Sequence, residues 1–422
     1  MKDKLLQVAY SQKERLQAKS GLIKRDIMPQ AAEALGNDKR VLVITGMRRV
    51  GKSTLVQQLM AGVSGSCYFN FEDEKLLDFT VDQFGELEEA LIEVYGSAQY
   101  WFFDEIQNVP QFEVAVRRLQ DSGKKVVLTG SNSSMLSMEF GSKLTGRYKQ
   151  IELFPFSFGE YLRFLNITFR EKDLYLPESR VKLKTHFVQW IEQGGLPEYL
   201  ANNDQEYVRT LFDNILYRDI IVRYGIRRHR ELRELVQLLV SNISLPITFS
   251  SLQRSIGLSN SETVKEYMGY LSNAYVFYEL HQYHDSLKKQ LRNPRKVYVI
   301  DPAFHNLVGF SNSQNIGRKL ENAVYLALRR NSQEIYSFQG KGECDFILFN
   351  NQRKASGIQV CYTLNPENEV RELNGLLEAM EYLQFSEGLI LTFDQDVKVK
   401  TAGKSLQAIP VWKWMLTGIG NQ

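Results

Sequence analysis

The sequence predicts an α/β fold of several domains, led by a parallel sheet that carries a phosphate-binding loop. Three observations lead there. The apolar run Val41 to Thr45 enters Gly46–Ser53, which fits GxxxxGK[ST], and a helical pattern continues from Thr54 to Met60. A second apolar run, "YWFF", ends on Asp104-Glu105. A third, "KKVVLTG", ends beside Ser131 and Asn132, where open parallel sheets bind ligands. The chain has 422 residues, which leaves room for about two to four domains.

Composition narrows the class. The hydrophobic fraction of 43% supports folded cores, and a charged fraction of 24% argues against long disorder. Net charge is +3, so any nucleic-acid surface must be a local patch. Cys67, Cys344 and Cys361 lack CxxC spacing and are expected to be reduced, buried thiols. No apolar run is long enough to span a bilayer, and the first residues lack a signal-peptide core. A cytoplasmic protein is expected, with no membrane association.

The first element is a helical segment over residues 1–35. The nucleotide domain follows over 36–155. Its glycines let backbone N–H groups curl around phosphate oxygens, and the helix N-terminus adds its positive end. Gly46, Arg48, Arg49, Val50, Gly51, Lys52, Ser53 and Thr54 form the expected nucleotide-facing set. Lys52 is placed to reach the β- and γ-phosphates, and Ser53 to hold Mg²⁺. Asp104 is the metal-side carboxylate and Glu105 the activator of the attacking water. Ser131 and Asn132 either sense the γ-phosphate or cap the next helix. Arg48 and Arg49 can meet phosphate or a carboxylate such as Glu72.

"GMRRVGKST", "FNFEDE", "FFDEIQ", "LTGSNSSML" and "LTGR" together resemble the AAA-type ATPases related to the STAND signalling group. The likeness is to the prokaryotic subset with a C-terminal domain of unknown function that has restriction-nuclease-like features. In that group "FPFSFGEYL" follows the ATPase core, as it does here from Phe154 to Leu162. "GGLPEYL" resembles the GxP lid motif, which implies that Pro197 packs near the adenine or ribose; Gly-Gly and Pro also mark a plain turn. Arg147 in "LTGR" is either an arginine finger, in cis or from a neighbour, or an ordinary surface arginine. The fold class is then a P-loop NTPase with a helical lid, a winged-helix-like module and an α/β nuclease-like domain.

Residues 156–235 have helical apolar spacing and form the lid. Residues 236–300 give a short helix, a turn at Gly257 and a second helix, then two strands joined by a basic loop. This order resembles a winged helix. Lys288, Lys289, Arg292, Arg295 and Lys296 crowd its wing, where they could contact DNA phosphates. The second helix, with two Glu and two Lys in "SETVKEYMGYLSN", is a weak base-reading face.

Residues 301–422 read as helix, three strands, helix and further strands, among them "EGLILTF" and "AIPVWKWM". The order resembles the PD-(D/E)xK nuclease core. There Glu321, Asp345 and Gln359 would gather at a metal, with Cys361 in the lysine position. Losing a lysine worth a typical oxyanion donor costs roughly 3–4 kcal/mol, or about a hundred- to a thousandfold in rate. Cys361 therefore favours a fold kept for binding over cleavage, unless Lys341 or Lys354 substitutes. The expected function is a Mg²⁺-dependent ATPase acting as an ATP-driven switch, with DNA as candidate partner. The alternatives are an ATP-switched regulator of a protein partner and an ATP-regulated nuclease.

Overall fold

The computed structural model describes residues 1–17, 21–132, 146–310, 316–331, 334–350, 352–401 and 404–417. The chain divides into two compact units. The first comprises residues 1–155 with 273–275, and the second residues 156–272 with 276–422.

In the first unit, five strands form one parallel sheet. They are β1 (Val41–Thr45), β2 (Ser66–Asn70), β3 (Tyr100–Asp104), β4 (Lys125–Gly130) and β5 (Tyr148–Glu152), in the order β2-β3-β4-β1-β5. Every residue of β1 is buried, as an unbroken Val/Leu/Ile run requires when both sheet faces are covered. The carboxylate strand β3 is separated from β1 by β4. The end of β4 is thereby set between the phosphate loop and Asp104. The apolar side of this unit is rich in aromatics: Phe69, Phe71, Phe84 and Phe103 pack in tilted and edge-on pairs.

The N-terminal segment begins as the helix Lys2–Gln17. Leu5, Val8, Ala9 and Gln12 are its buried residues, at helical i, i+3, i+4, i+7 spacing. Gln12 does a strand's work at its end. Its amide donates to the Asn70 carbonyl (2.9 Å) and accepts from the Asn70 N–H (2.9 Å), closing the free edge of β2.

The second unit opens with the helix Phe158–Phe164, whose Ser157 and Glu160 form a capping box. The helices Pro177–Gln193, Gln205–Asn214 and Pro302–Val308 pack together, in keeping with their helical spacing. Gly194 and Gly195 are dictated by close approach. A Cβ on Gly195 would lie 2.3 Å from the Phe156 carbonyl oxygen, and one on Gly194 would strike Asp301. The Phe156 N–H donates to the Gly195 carbonyl (2.7 Å), and the Gly195 N–H donates to Asp301 Oδ2 (2.7 Å).

Residues 229–299 run helix His229–Ser241, strand β6 (Pro246–Ile247), helix Phe249–Ser255, helix Ser261–Asn273, strand β7 (Phe277–His281), helix Leu287–Arg292 and strand β8 (Arg295–Val299). The three strands pair antiparallel in the order β6-β8-β7. The link expected as a basic loop contains a short helix. Lys288, Lys289 and Arg292 on it are exposed, but Lys296 is buried in β8 and Arg295 is paired with Glu279. Lys296 is thus removed from any phosphate-facing set.

The helix Ile316–Asn331 leads into a six-stranded sheet of β9 (Ile335–Gln339), β10 (Glu343–Phe349), β11 (Ala355–Val360), β12 (Glu387–Thr392), β13 (Val397–Thr401) and β14 (Lys404–Pro410). Its order is β13-β14-β12-β11-β10-β9, with β11, β12 and β14 parallel and the other pairings antiparallel. The helix Glu369–Tyr382 connects β11 to β12. "AIPVWKWM" departs from the expected strand: β14 stops at Pro410 and Val411–Thr417 is a helix with Trp412 fully buried. A short apolar run does not distinguish a buried strand from a buried helix by period alone.

Candidate functional site

The phosphate loop is shaped by left-handed backbone at Gly46 (φ 143°), Arg49 (φ 68°) and Gly51 (φ 98°). A Cβ on Gly46 would meet the Leu153 carbonyl oxygen at 2.3 Å, so only glycine fits there. Buried Arg25, from the N-terminal segment, braces the loop by donating to the Val50 carbonyl (2.9 Å) and the Phe154 carbonyl. Val50 is buried and Thr54 partly exposed on the first turn of the helix Lys52–Ala61.

Lys52 is buried at the start of that helix. Its ammonium donates to the Gly46 and Met47 carbonyls (both 3.2 Å) and lies 3.5 Å from Glu105 Oε1. Asp104, at the end of β3, is fully buried and receives hydrogen bonds from Tyr68 (2.8 Å), Asn70 (3.3 Å), Thr129 and Ser53. Burial pushes its carboxyl up, and the neighbouring Glu105 charge adds to this; the hydroxyl donors oppose it. Glu105 adopts the left-handed conformation (φ 52°), which turns its side chain back toward the loop. Burial raises its carboxyl, but Lys52, Gln107 and Arg48 outweigh burial and hold it below the usual range. Ser131 donates to Glu105 Oε2 (3.3 Å), and Gln107 donates to the same oxygen.

The Arg48 guanidinium meets the Glu72 carboxylate at 2.8 Å. Ser131 and Asn132 are both buried at the end of β4, and the helix they could cap lies outside the described residues. Arg147 stands at the opposite end of the sheet. Its carbonyl accepts from Val41, the first residue of β1, and its guanidinium pairs with Asp121 (2.8 Å). The length of β1, about 16 Å at 3.3 Å per residue, separates it from the loop, so a cis contact with the γ-phosphate is ruled out. A cavity of about 370 Å³ opens beside Ser53, bounded by Gln12, Arg15, Tyr68, Asn70 and Glu72.

Pro197 opens the helix Pro197–Asn202 in the second unit, held by the Gly194-Gly195 turn. The residues expected at a nuclease-like site do converge. Glu321 comes from the helix Ile316–Asn331, Asp345 from β10 and Gln359 from β11. Asp345 Oδ2 accepts from the Val360 N–H (2.9 Å); Gln359 accepts from the Asp345 N–H (3.3 Å) and donates to Glu372 (3.0 Å). Cys361 packs in the adjoining apolar core, and burial pushes its thiol up to about 12. The group the sequence did not suggest here is Lys296, whose ammonium meets Glu321, Asp345 (both 2.8 Å) and Glu343 (2.6 Å).

Known families and proteins are similar to parts or most of this chain. An AAA domain family matches residues 38–162, and a domain of unknown function (DUF8612) matches residues 184–314. The uncharacterized protein MJ1544 of Methanocaldococcus jannaschii is 32% identical, over 90% of this chain and 88% of its own length. This chain belongs to the MJ1544 family. An uncharacterized protein of Haemophilus influenzae is 28% identical, over 80% of this chain and 86% of its own. Among solved structures, AMPPCP-bound DnaA from Aquifex aeolicus has a TM-score of 0.25 at 15% identity, covering 61% of this chain and 90% of that one. The Hsp104–ADP complex of S. cerevisiae has a TM-score of 0.32 at 15% identity, covering 63% and 40%. At such scores neither structure bears on the chemistry of this site.

In this MJ1544-family member the first unit holds an AAA-type P-loop ATPase domain. Sequence reasoning missed Arg25, Tyr68, Asn70 and Thr129. Tyr68 and Asn70 sit two apart on β2, so the period-2 pattern could have placed them on one face. Nothing local marks Arg25, which reaches the loop only through the fold. Among the described residues, no helix is long and apolar enough to cross a membrane.

Proposed function

We propose that this protein is a Mg²⁺-dependent ATPase whose nucleotide state switches the engagement of its second unit with a partner. The observation that carries this is the position of Lys52: its ammonium is held by two loop carbonyls and Glu105, within reach of the loop that cradles phosphate. ATP would draw Lys52 toward the β- and γ-phosphates. Glu105, released from the ammonium but still bonded to Gln107 and Ser131, would then polarise a water. Asn132 stands beside Ser131 as the γ-phosphate sensor.

Mg²⁺ fits here. Ser53 and Asp104 present hard oxygen donors already hydrogen-bonded to each other, the arrangement in which a P-loop hydroxyl and a strand-end carboxylate hold the ion. When bound, the ion neutralises charge that builds on the phosphate oxygens. Tyr68, Asn70 and Thr129 fix the Asp104 carboxylate so that it need not reorganise.

Within the second unit, we assign a helical lid to 156–235, a winged-helix-like module to 236–300 and a nuclease-like domain to 301–422. DNA is the partner favoured by the exposed Lys288, Lys289 and Arg292, beside a helix pair with winged-helix order. Arg147, half-exposed, is left to act on a neighbouring copy. The test is hydrogen exchange of the full chain with no nucleotide, with ADP and with a non-hydrolysable ATP analogue. The switch predicts protection in residues 156–300 that differs between ATP analogue and ADP. Identical protection in all three states would sink it.

A further inference from the structure

The carboxylates of the second unit surround an ammonium, and this decides what the site does. Lys296 is buried in β8, a strand outside the six-stranded sheet that supplies Asp345 and Glu343. Its ammonium donates to Glu321 and Asp345 (both 2.8 Å) and forms an ion pair with Glu343 at 2.6 Å. Two of the three ammonium donors are thus spent on carboxylates, and a third carboxylate crowds the ammonium. Two of these carboxylates have further donors. Glu321 Oε1 also accepts from Tyr298 (2.8 Å), and Asp345 Oδ2 from the Val360 N–H. Gln359 spends its amide on the Asp345 backbone and on Glu372, which Arg371 also holds.

We infer that Lys296 is the resident cation of this site, standing where the same carboxylates would otherwise hold a divalent metal. A metal needs those carboxylate oxygens at about 2.0–2.2 Å, and the ammonium fills the point on which they converge. The charges agree. Burial would strip the Lys296 proton, but Asp345, Glu321 and Glu343 overcome it and raise the group well above its ordinary value. Burial in turn lifts the Glu321 carboxyl to about 7, with Lys296 opposing. Two independent departures from a cleaving site then coincide: a thiol at Cys361 and a cation supplied from within the chain. The site serves to tie β8 to the helix Ile316–Asn331 and β10, rather than to cut phosphodiesters.

The test counts Mn²⁺ bound to the nucleotide-free full chain by electron paramagnetic resonance. Wild type and Asp345→Asn are expected to bind the same number. Lys296→Met, its methyl thioether matching the stem but carrying no charge, is expected to gain about one Mn²⁺ that Lys296→Met/Asp345→Asn loses. If Lys296→Met does not fold, the first pair still decides: a Mn²⁺ bound by wild type and lost in Asp345→Asn overturns the inference. So does plasmid cleavage by wild type with Mn²⁺ that Asp345→Asn abolishes. A folded Lys296→Met that gains no ion overturns it too.

Discussion

Glu105→Gln should separate nucleotide binding from turnover. In the resting site Glu105 lies 3.5 Å from the Lys52 ammonium, and both side chains are shielded from water. At an effective dielectric of about 20, opposite charges at that distance attract by about 5 kcal/mol. ATP must break this pairing before Lys52 can reach its phosphates, and phosphate charge then replaces most of what is lost. A net gain of about 1–2 kcal/mol from removing the competing charge gives roughly 5- to 30-fold tighter ATP binding. The amide keeps an acceptor oxygen for Gln107 and Ser131, so the loop stays supported. Turnover should fall by about 10²- to 10⁴-fold, the usual worth of a positioned general base. Equilibrium binding of a fluorescent ATP analogue and single-turnover hydrolysis measure the two effects separately. Weaker binding by Glu105→Gln, or turnover equal to wild type, would refute the assigned role.

Other parts of the fold lead to further expected outcomes. Gly195→Ala places a methyl 2.3 Å from the Phe156 carbonyl oxygen and should cost about 2–3 kcal/mol in urea unfolding; an unchanged midpoint would contradict the close approach. Burial raises the Asp301 carboxyl from 3.8 to about 7, so the folded chain holds this proton more tightly than the unfolded chain. Its contribution is therefore greatest below about pH 4 and is lost as pH rises through 7, by up to about 4 kcal/mol; Asp301→Asn should flatten that dependence in urea melts. Replacing Lys288, Lys289 and Arg292 with Ala should lower the slope of log affinity for DNA against log salt by about 2–3, and an unchanged slope would remove them from the interface.

The parts legible in the sequence are those where chemistry and backbone coincide within a few residues. The glycines of the loop, Lys52 and the Asp104-Glu105 strand end need no distant partner to be recognised. The helix–strand order around Glu321, Asp345 and Gln359 was legible for the same reason, because period and turn residues mark each element. Lys296 was not. In sequence it belongs to a basic run with Arg292 and Arg295, and only the pairing of β8 turns it inward while Lys288 and Lys289 remain outside. The place of Arg147 was hidden for the reverse reason. Its motif lies close in sequence to Ser131, but the parallel return to β5 carries it to the far end of the sheet. The run "AIPVWKWM" reads as a strand because its two tryptophans and valine satisfy either a buried strand or a buried helix, and from Val411 it is helix.

The central proposal is that the loop at Gly46–Ser53 binds ATP through Lys52. The most direct test is calorimetric titration of ATP with Mg²⁺ into wild type and Lys52→Ala. Saturable binding by wild type, weakened about 10- to 100-fold in Lys52→Ala as expected for lost charge-assisted hydrogen bonds, is the predicted result. No ATP binding by the wild type, or equal affinity in the two proteins, would contradict it.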